Sequence, residues 1–166
     1  MSVHNQCQTI KAPSREPPRH GAKKIFLAGS TSARDEPDWR ERLIESLADQ
    51  PLTIYNPLRL DWDATWHEDI SDARYREQVE WELEMQELAD VVVVYFHPAT
   101  QAPVSLLELG LCARGGRAIV ACPRGYWKRG NVEILCLRYG IEMVEDVRAV
   151  GDAIVKKLGG TADLSS

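Results

Sequence analysis

The sequence predicts an α/β fold: a doubly wound, five-stranded parallel sheet of the flavodoxin or Rossmann type, with strand order 2-1-3-4-5. Three observations carry this. Short apolar runs alternate with helical patterns five times along the 166 residues. The most apolar run, Val91-Val-Val-Val-Tyr-Phe96, is bounded by Asp90 and Pro98 and is apolar at successive positions. That is the pattern of a strand covered on both faces. The first run, Ile25-Phe-Leu-Ala-Gly29, passes into a Ser-Thr-Ser turn, as a strand does before a helix.

The bulk properties bound the function. One domain of this length buries a substantial core. Hydrophobic residues make up 44% and charged residues 27%, and the net charge is −5. That balance argues against a general binder of nucleic acid polymers, which carries a basic face. It leaves a nucleoside or nucleotide open, since these need only local chemistry. No stretch matches a membrane span or the apolar core of a signal peptide. Cys7, Cys112, Cys122 and Cys136 show no CxxC spacing and read as small core residues of a reduced, cytoplasmic protein. Neither a metal nor a cofactor is expected.

Taken in order, residues 1–22 hold Pro13, Pro17 and Pro18 without apolar periodicity and read as a flexible tail. A single domain is expected over residues 23–160, with 161–166 frayed. Asp35-Glu36-Pro37 reads as a helix start, and Trp39, Leu43, Ile44 and Leu47 follow at helical spacing. Leu52–Tyr55 is the second strand, closed by Asn56-Pro57. The loop from Leu58 to His67 carries Trp62 and Trp66, which form either a stacking wall for a flat ring or a cap on the core. His67 has no second histidine at ligand spacing.

Residues 71–89 read as a charged helix whose acids mostly face water; Glu82, between Trp81 and Leu83, is the exception. After the valine strand, a loop from Thr100 leads to a helix carrying Glu108 in its first turn, among Leu106, Leu107, Leu109 and Leu111. Gly115-Gly116 ends that helix, and Ala118–Cys122 is the fourth strand. A basic, aromatic loop over 123–130 precedes Asn131 as a helix N-cap. Gly140–Val144 and Asp146–Leu158 are the last strand and helix.

Two readings of Glu108 stand. It faces water, or it is a carboxylate aimed at the C-terminal edge of the sheet, where open α/β sheets bind ligands. In the second case the helix dipole favours its anion, which suits a nucleophile. A carboxylate nucleophile attacks a glycosyl carbon through a covalent intermediate, and a second acid, for which Glu82 is the candidate, assists departure. Asn56 and the tryptophans would hold a flat leaving group. Gly29 and Ser30 form either a plain turn or a close backbone approach to an anion.

The sequence also resembles the nucleoside 2-deoxyribosyltransferase superfamily, in its deoxyribosyltransferase-like branch, from about Lys23 to Leu158. The resemblance rests on Lys24-Ile-Phe-Leu-Ala-Gly-Ser30, Ile54-Tyr-Asn-Pro57, Glu77-Gln-Val-Glu-Trp-Glu82, Ala89-Asp90 and Leu107-Glu-Leu-Gly110. It implies that Glu108 is the nucleophile on the deoxyribose anomeric carbon and that Glu82 binds or protonates the base. It implies a homodimer or higher oligomer whose sites are shared, with Asn131 of a neighbouring subunit on the sugar. Ala102 stands where the transferases carry a second aspartate, and Phe26 where they carry a tyrosine that orients the nucleophile. The related nucleotide N-glycosidases imply a phosphate held by Gly29, Ser30, Arg34 and Ser105.

The expected activity is therefore cleavage or transfer at the N-glycosidic bond of a nucleoside or nucleotide. The rival readings are an inactive nucleotide-binding or signalling module of the same fold, and a flavodoxin-like regulatory domain without a nucleotide.

Overall fold

The computed structural model describes residues 6–30 and 37–159. The valine run forms β4 (Val91–Tyr95), buried at every position, as a strand covered on both faces must be. It pairs in parallel with β2 (Lys23–Gly29), in a register that sets Phe26 beside Val92 and Gly29 beside Tyr95. Its other neighbour is β5 (Ala118–Ala121). β3 (Leu52–Asn56) lies outside β2, and β6 (Glu142–Val144) lies outside β5. These five strands keep the predicted order.

A sixth strand was not predicted. Gln8–Lys11 forms β1, which pairs in parallel with β3 and extends the order to β1-β3-β2-β4-β5-β6. This corrects the expectation of a flexible tail for this stretch. Ile10 is fully buried and gives the segment an apolar anchor. The three prolines follow the strand and leave its amides free to pair. Beyond the strand, the Trp81 indole N–H donates to the Ser14 carbonyl at 2.8 Å.

Helices cover both faces. α1 (Trp39–Ser46) and α5 (Arg148–Gly159) pack on one side around Ile25, Leu27, Trp39, Leu43, Val93, Val150 and Ile154. α2 (Ala73–Leu88), α3 (Pro103–Cys112) and α4 (Arg129–Tyr139) pack on the other, around Phe26, Trp81, Val94, Leu109, Cys112, Val132 and Cys136. Burial pushes the thiols of Cys112, Cys122 and Cys136 up to about 11, so these three are inert core residues. Among the described residues no helix is long and apolar enough to cross a membrane.

Three helix starts differ from the sequence reading. α1 is capped by Asp38, whose carboxylate accepts from the Arg40 amide at 2.9 Å, so Pro37 lies before the cap. α4 begins at Arg129 with Lys128 at the N-cap, which places Asn131 within the first turn rather than at the cap. α3 begins at Pro103, after Ala102 in the left-handed region at φ 50°. Such a conformation costs an alanine ~1–2 kcal/mol. The preceding carbonyl is clamped: Gln101 accepts from the Tyr126 hydroxyl at 2.8 Å and the Trp127 indole at 3.1 Å. Glu108 is thus the sixth residue of α3, in its second turn, and not in the first.

Candidate active site

Where β2 and β3 end, the backbone opens into a pocket of about 430 Å³. Gly29 forms part of its wall at φ 140°, and a Cβ there would stand 2.6 Å from the Tyr95 carbonyl oxygen. Glycine alone allows this approach of β2 to β4. α2 contributes Gln78 and Glu82, α3 contributes Val104, Ser105 and Glu108, and the loop after β3 contributes Pro57, Leu58, Arg59 and Trp62. α1 sends in Arg40, which is 3% exposed.

The pocket holds two carboxylates, Glu108 buried and Glu82 half-buried. Glu108 is 8% exposed, and burial together with the neighbouring Glu82 charge raises its carboxyl to about 8. Arg40 and a hydrogen bond from the Gln86 amide, 2.9 Å to Oε1, pull the other way. Burial also raises Glu82, against the Gln78 amide at 2.8 Å and Arg40. The expectation that the helix dipole holds Glu108 as an anion is overturned. The dipole acts within the first turn, and desolvation dominates where Glu108 lies.

Arg40 is fixed by its own bonds. Nη2 donates to the Gly29 carbonyl at 2.7 Å, Nε to Leu27 at 3.2 Å, and Nη1 pairs with Asp38 at 3.3 Å. Its cation therefore belongs to the end of β2 and acts on both acids from there. Gln78 bridges Glu82 to the Pro57 carbonyl, at 2.8 Å each.

Of the residues singled out in the sequence, the structure brings Gly29, Trp62, Glu82, Ser105 and Glu108 to this pocket. Others are engaged elsewhere. The Ser30 hydroxyl accepts from the His97 amide at 2.8 Å, tying the ends of β2 and β4 together. Asn56 is fully buried; its Oδ1 accepts from the Leu58 amide at 3.0 Å, and its amide donates to Glu41 at 3.4 Å. Trp66 is buried behind Trp62, stacked at 4.6 Å, with the guanidiniums of Arg59 and Arg74 over its ring. The wall facing the pocket is Trp62 alone of the pair. Asn131 is exposed on α4, and Arg34 lies outside the described residues.

The sequence reading missed Arg40, Arg59, Gln78 and Gln86. A signal for two of them was present. Gln78, Glu82 and Gln86 recur every four residues, which aligns them on one face of α2. A second, larger cavity of about 860 Å³ at the other end of the sheet, against Lys23, Pro51 and Ile154, is lined by no carboxylate. Among the described residues, no group of three or more His, Cys, Asp or Glu is placed to hold a metal ion.

A doubly wound parallel sheet with a pocket at its C-terminal edge defines the class: an open α/β protein with a cleft at its topological switch point, where such sheets bind their ligands. The family model for nucleoside 2-deoxyribosyltransferase-like proteins matches residues 22–126. That is more than half of the chain, and the chain belongs to this family. The match spans both pocket acids and ends before Asn131. No curated protein matches the chain.

Proposed function

We propose that this protein cleaves or transfers at the N-glycosidic bond of a nucleoside or nucleotide, with Glu108 as nucleophile and Glu82 as acid. The observation that carries the reading is the pair of carboxylates, one buried and one half-buried, from neighbouring helices at one pocket with a fixed arginine. A Glu108 oxygen attacks the anomeric carbon as the carbon–nitrogen bond breaks. The electron pair of that bond leaves with the base, which takes a proton from Glu82. The resulting glycosyl ester is released by attack of water or a second base, with Glu82, now ionised, accepting the proton. Trp62 gives the base a flat wall, and Ser105 and Gly29 lie where the sugar or a phosphate is held.

The pair titrates as a unit. In the free protein the last proton rests on Glu108, which burial and the Glu82 charge raise to about 8. The working form is the one-proton form in which that proton has passed to Glu82 and Glu108 is ionised. Activity is lost on the acid side when a second proton joins. It is lost on the alkaline side, near the value of about 8 at Glu108, when the last proton leaves. The test is incubation with a panel of deoxynucleosides and their monophosphates, with and without an acceptor base. Release or exchange of base, with a bell-shaped pH profile and loss of at least ~10³-fold in Glu108→Ala, is the expected result. Ligand-induced thermal stabilisation without product would leave a binding module instead.

A second copy of the chain completes the site in this reading. Val104, Leu107 and Leu111 of α3 and Ile134 and Leu137 of α4 are exposed apolar residues on helices that cover the same sheet face. Asn131, on the first turn of α4, would then reach a neighbour's pocket. Light scattering of the native protein and of Leu107→Glu tests this; a monomeric native protein would sink it.

A further inference from the structure

We infer that Gln86 is the positioning residue of the Glu108 carboxylate, binding one oxygen from behind and leaving the other to the pocket. The inference rests on the reading of Glu108 as the nucleophile. Its ground is geometry. Gln86 Nε2 donates to Glu108 Oε1 at 2.9 Å, and both side chains are buried. Glu108 lines the pocket and Gln86 does not, so the amide holds the carboxylate from the protein side. A carboxylate held at one oxygen loses its rotation about the terminal torsion and presents Oε2 in one direction.

Gln86 is itself held. Arg117 Nη1 donates to the main-chain carbonyls of Gln86 and Ala89, at 3.0 and 2.6 Å, closing the last turn of α2. The donor's charge matters as well. The charged groups acting on Glu108 are Glu82 from α2 and Arg40 from α1. A neutral amide orients the carboxylate and favours its anion without adding a counter-charge that would blunt its attack.

Two variants test the assignment: Gln86→Leu and, as a length-matched chain without a donor, Gln86→Met. In unliganded protein, carbon-13 NMR follows the Glu108 carboxyl carbon through its titration. Loss of the donor removes a stabiliser of the anion, so the midpoint moves upward by on the order of one pH unit. In turnover, kcat falls by about 10- to 100-fold while KM stays within about twofold. An unchanged Glu108 midpoint in both variants overturns the inference. If the wild-type protein releases no base from any substrate, the proposed reaction falls, while the titration still decides the role of Gln86. A kcat unchanged beside an active wild type overturns the positioning role alone.

Discussion

The two faces of the sheet are built on opposite principles. The face under α1 and α5 has a core of aliphatic and aromatic side chains, including Trp39 edge-on to Tyr95 at 5.2 Å, and among the described residues it buries no acid. The face under α2, α3 and α4 has an apolar core of similar extent, yet it also buries Gln78, Gln86, Ser105 and Glu108 along α2 and α3. Burying such groups costs free energy unless they are bonded and the charges paired. One face stabilises the fold, and the other uses part of that stability to hold acids out of water. Arg40 joins them, since it springs from α1 and acts on the acids of α2 and α3.

The largest effect should come from the first face. Trp39→Ala removes a fully buried ring and the indole bond to the Ser30 carbonyl at 3.2 Å. It should cost about 3–5 kcal/mol in urea denaturation. A loss below ~1 kcal/mol would show that this face is not the one holding the fold.

Glu108→Gln should do the reverse. The Glu108 carboxyl stands near 8 in the folded chain against an ordinary value of 4.5. Between those pH values the folded state keeps a proton that the unfolded state has lost, so stability falls as pH rises. Glu82, also raised, adds a slope of the same sign. Glu108→Gln removes one of these slopes while its amide oxygen can still accept from Gln86. The variant should match the wild type near pH 4.5 and exceed it by on the order of a few kcal/mol near pH 8. A constant difference in melting temperature across that window would refute the account.

The smallest effect separates the stacked tryptophans. Trp62→Ala removes a half-exposed ring, so stability should change little. Affinity for a nucleoside should drop by ~1–3 kcal/mol, the range for one stacked base, in calorimetry. Trp66→Ala should instead lower stability first, because its ring is buried under Arg59 and Arg74.

What the sequence made legible follows from this division. The central strand announced itself, because a strand buried on both faces must be apolar at every position, and Val91 to Phe96 are. The order of the five predicted strands followed from the connections. Glu108 and Glu82 stood out as acids among leucines and tryptophan. Residue type does not show where a polar group directs its bonds, however. Ser30 and Asn56 looked like ligand groups and hold strand ends instead. Arg40 drew no reading from the sequence, and only the packed sheet shows it turned onto the carbonyls of Leu27 and Gly29. Gln8–Lys11 escaped notice because one side chain of the four is fully buried.

That short strand has a consequence for how the chain keeps to itself. β3 is buried along its whole length, and without β1 its outer row of amides and carbonyls would be an open template for another chain. β1 moves the exposed border outward to a four-residue strand ending in Lys11, whose ammonium pairs with Glu41 at 3.2 Å. Short length and a terminal lysine are features that discourage edge-to-edge association. A chain shortened to begin at Lys23 would keep both pocket acids and lose its protection against aggregation.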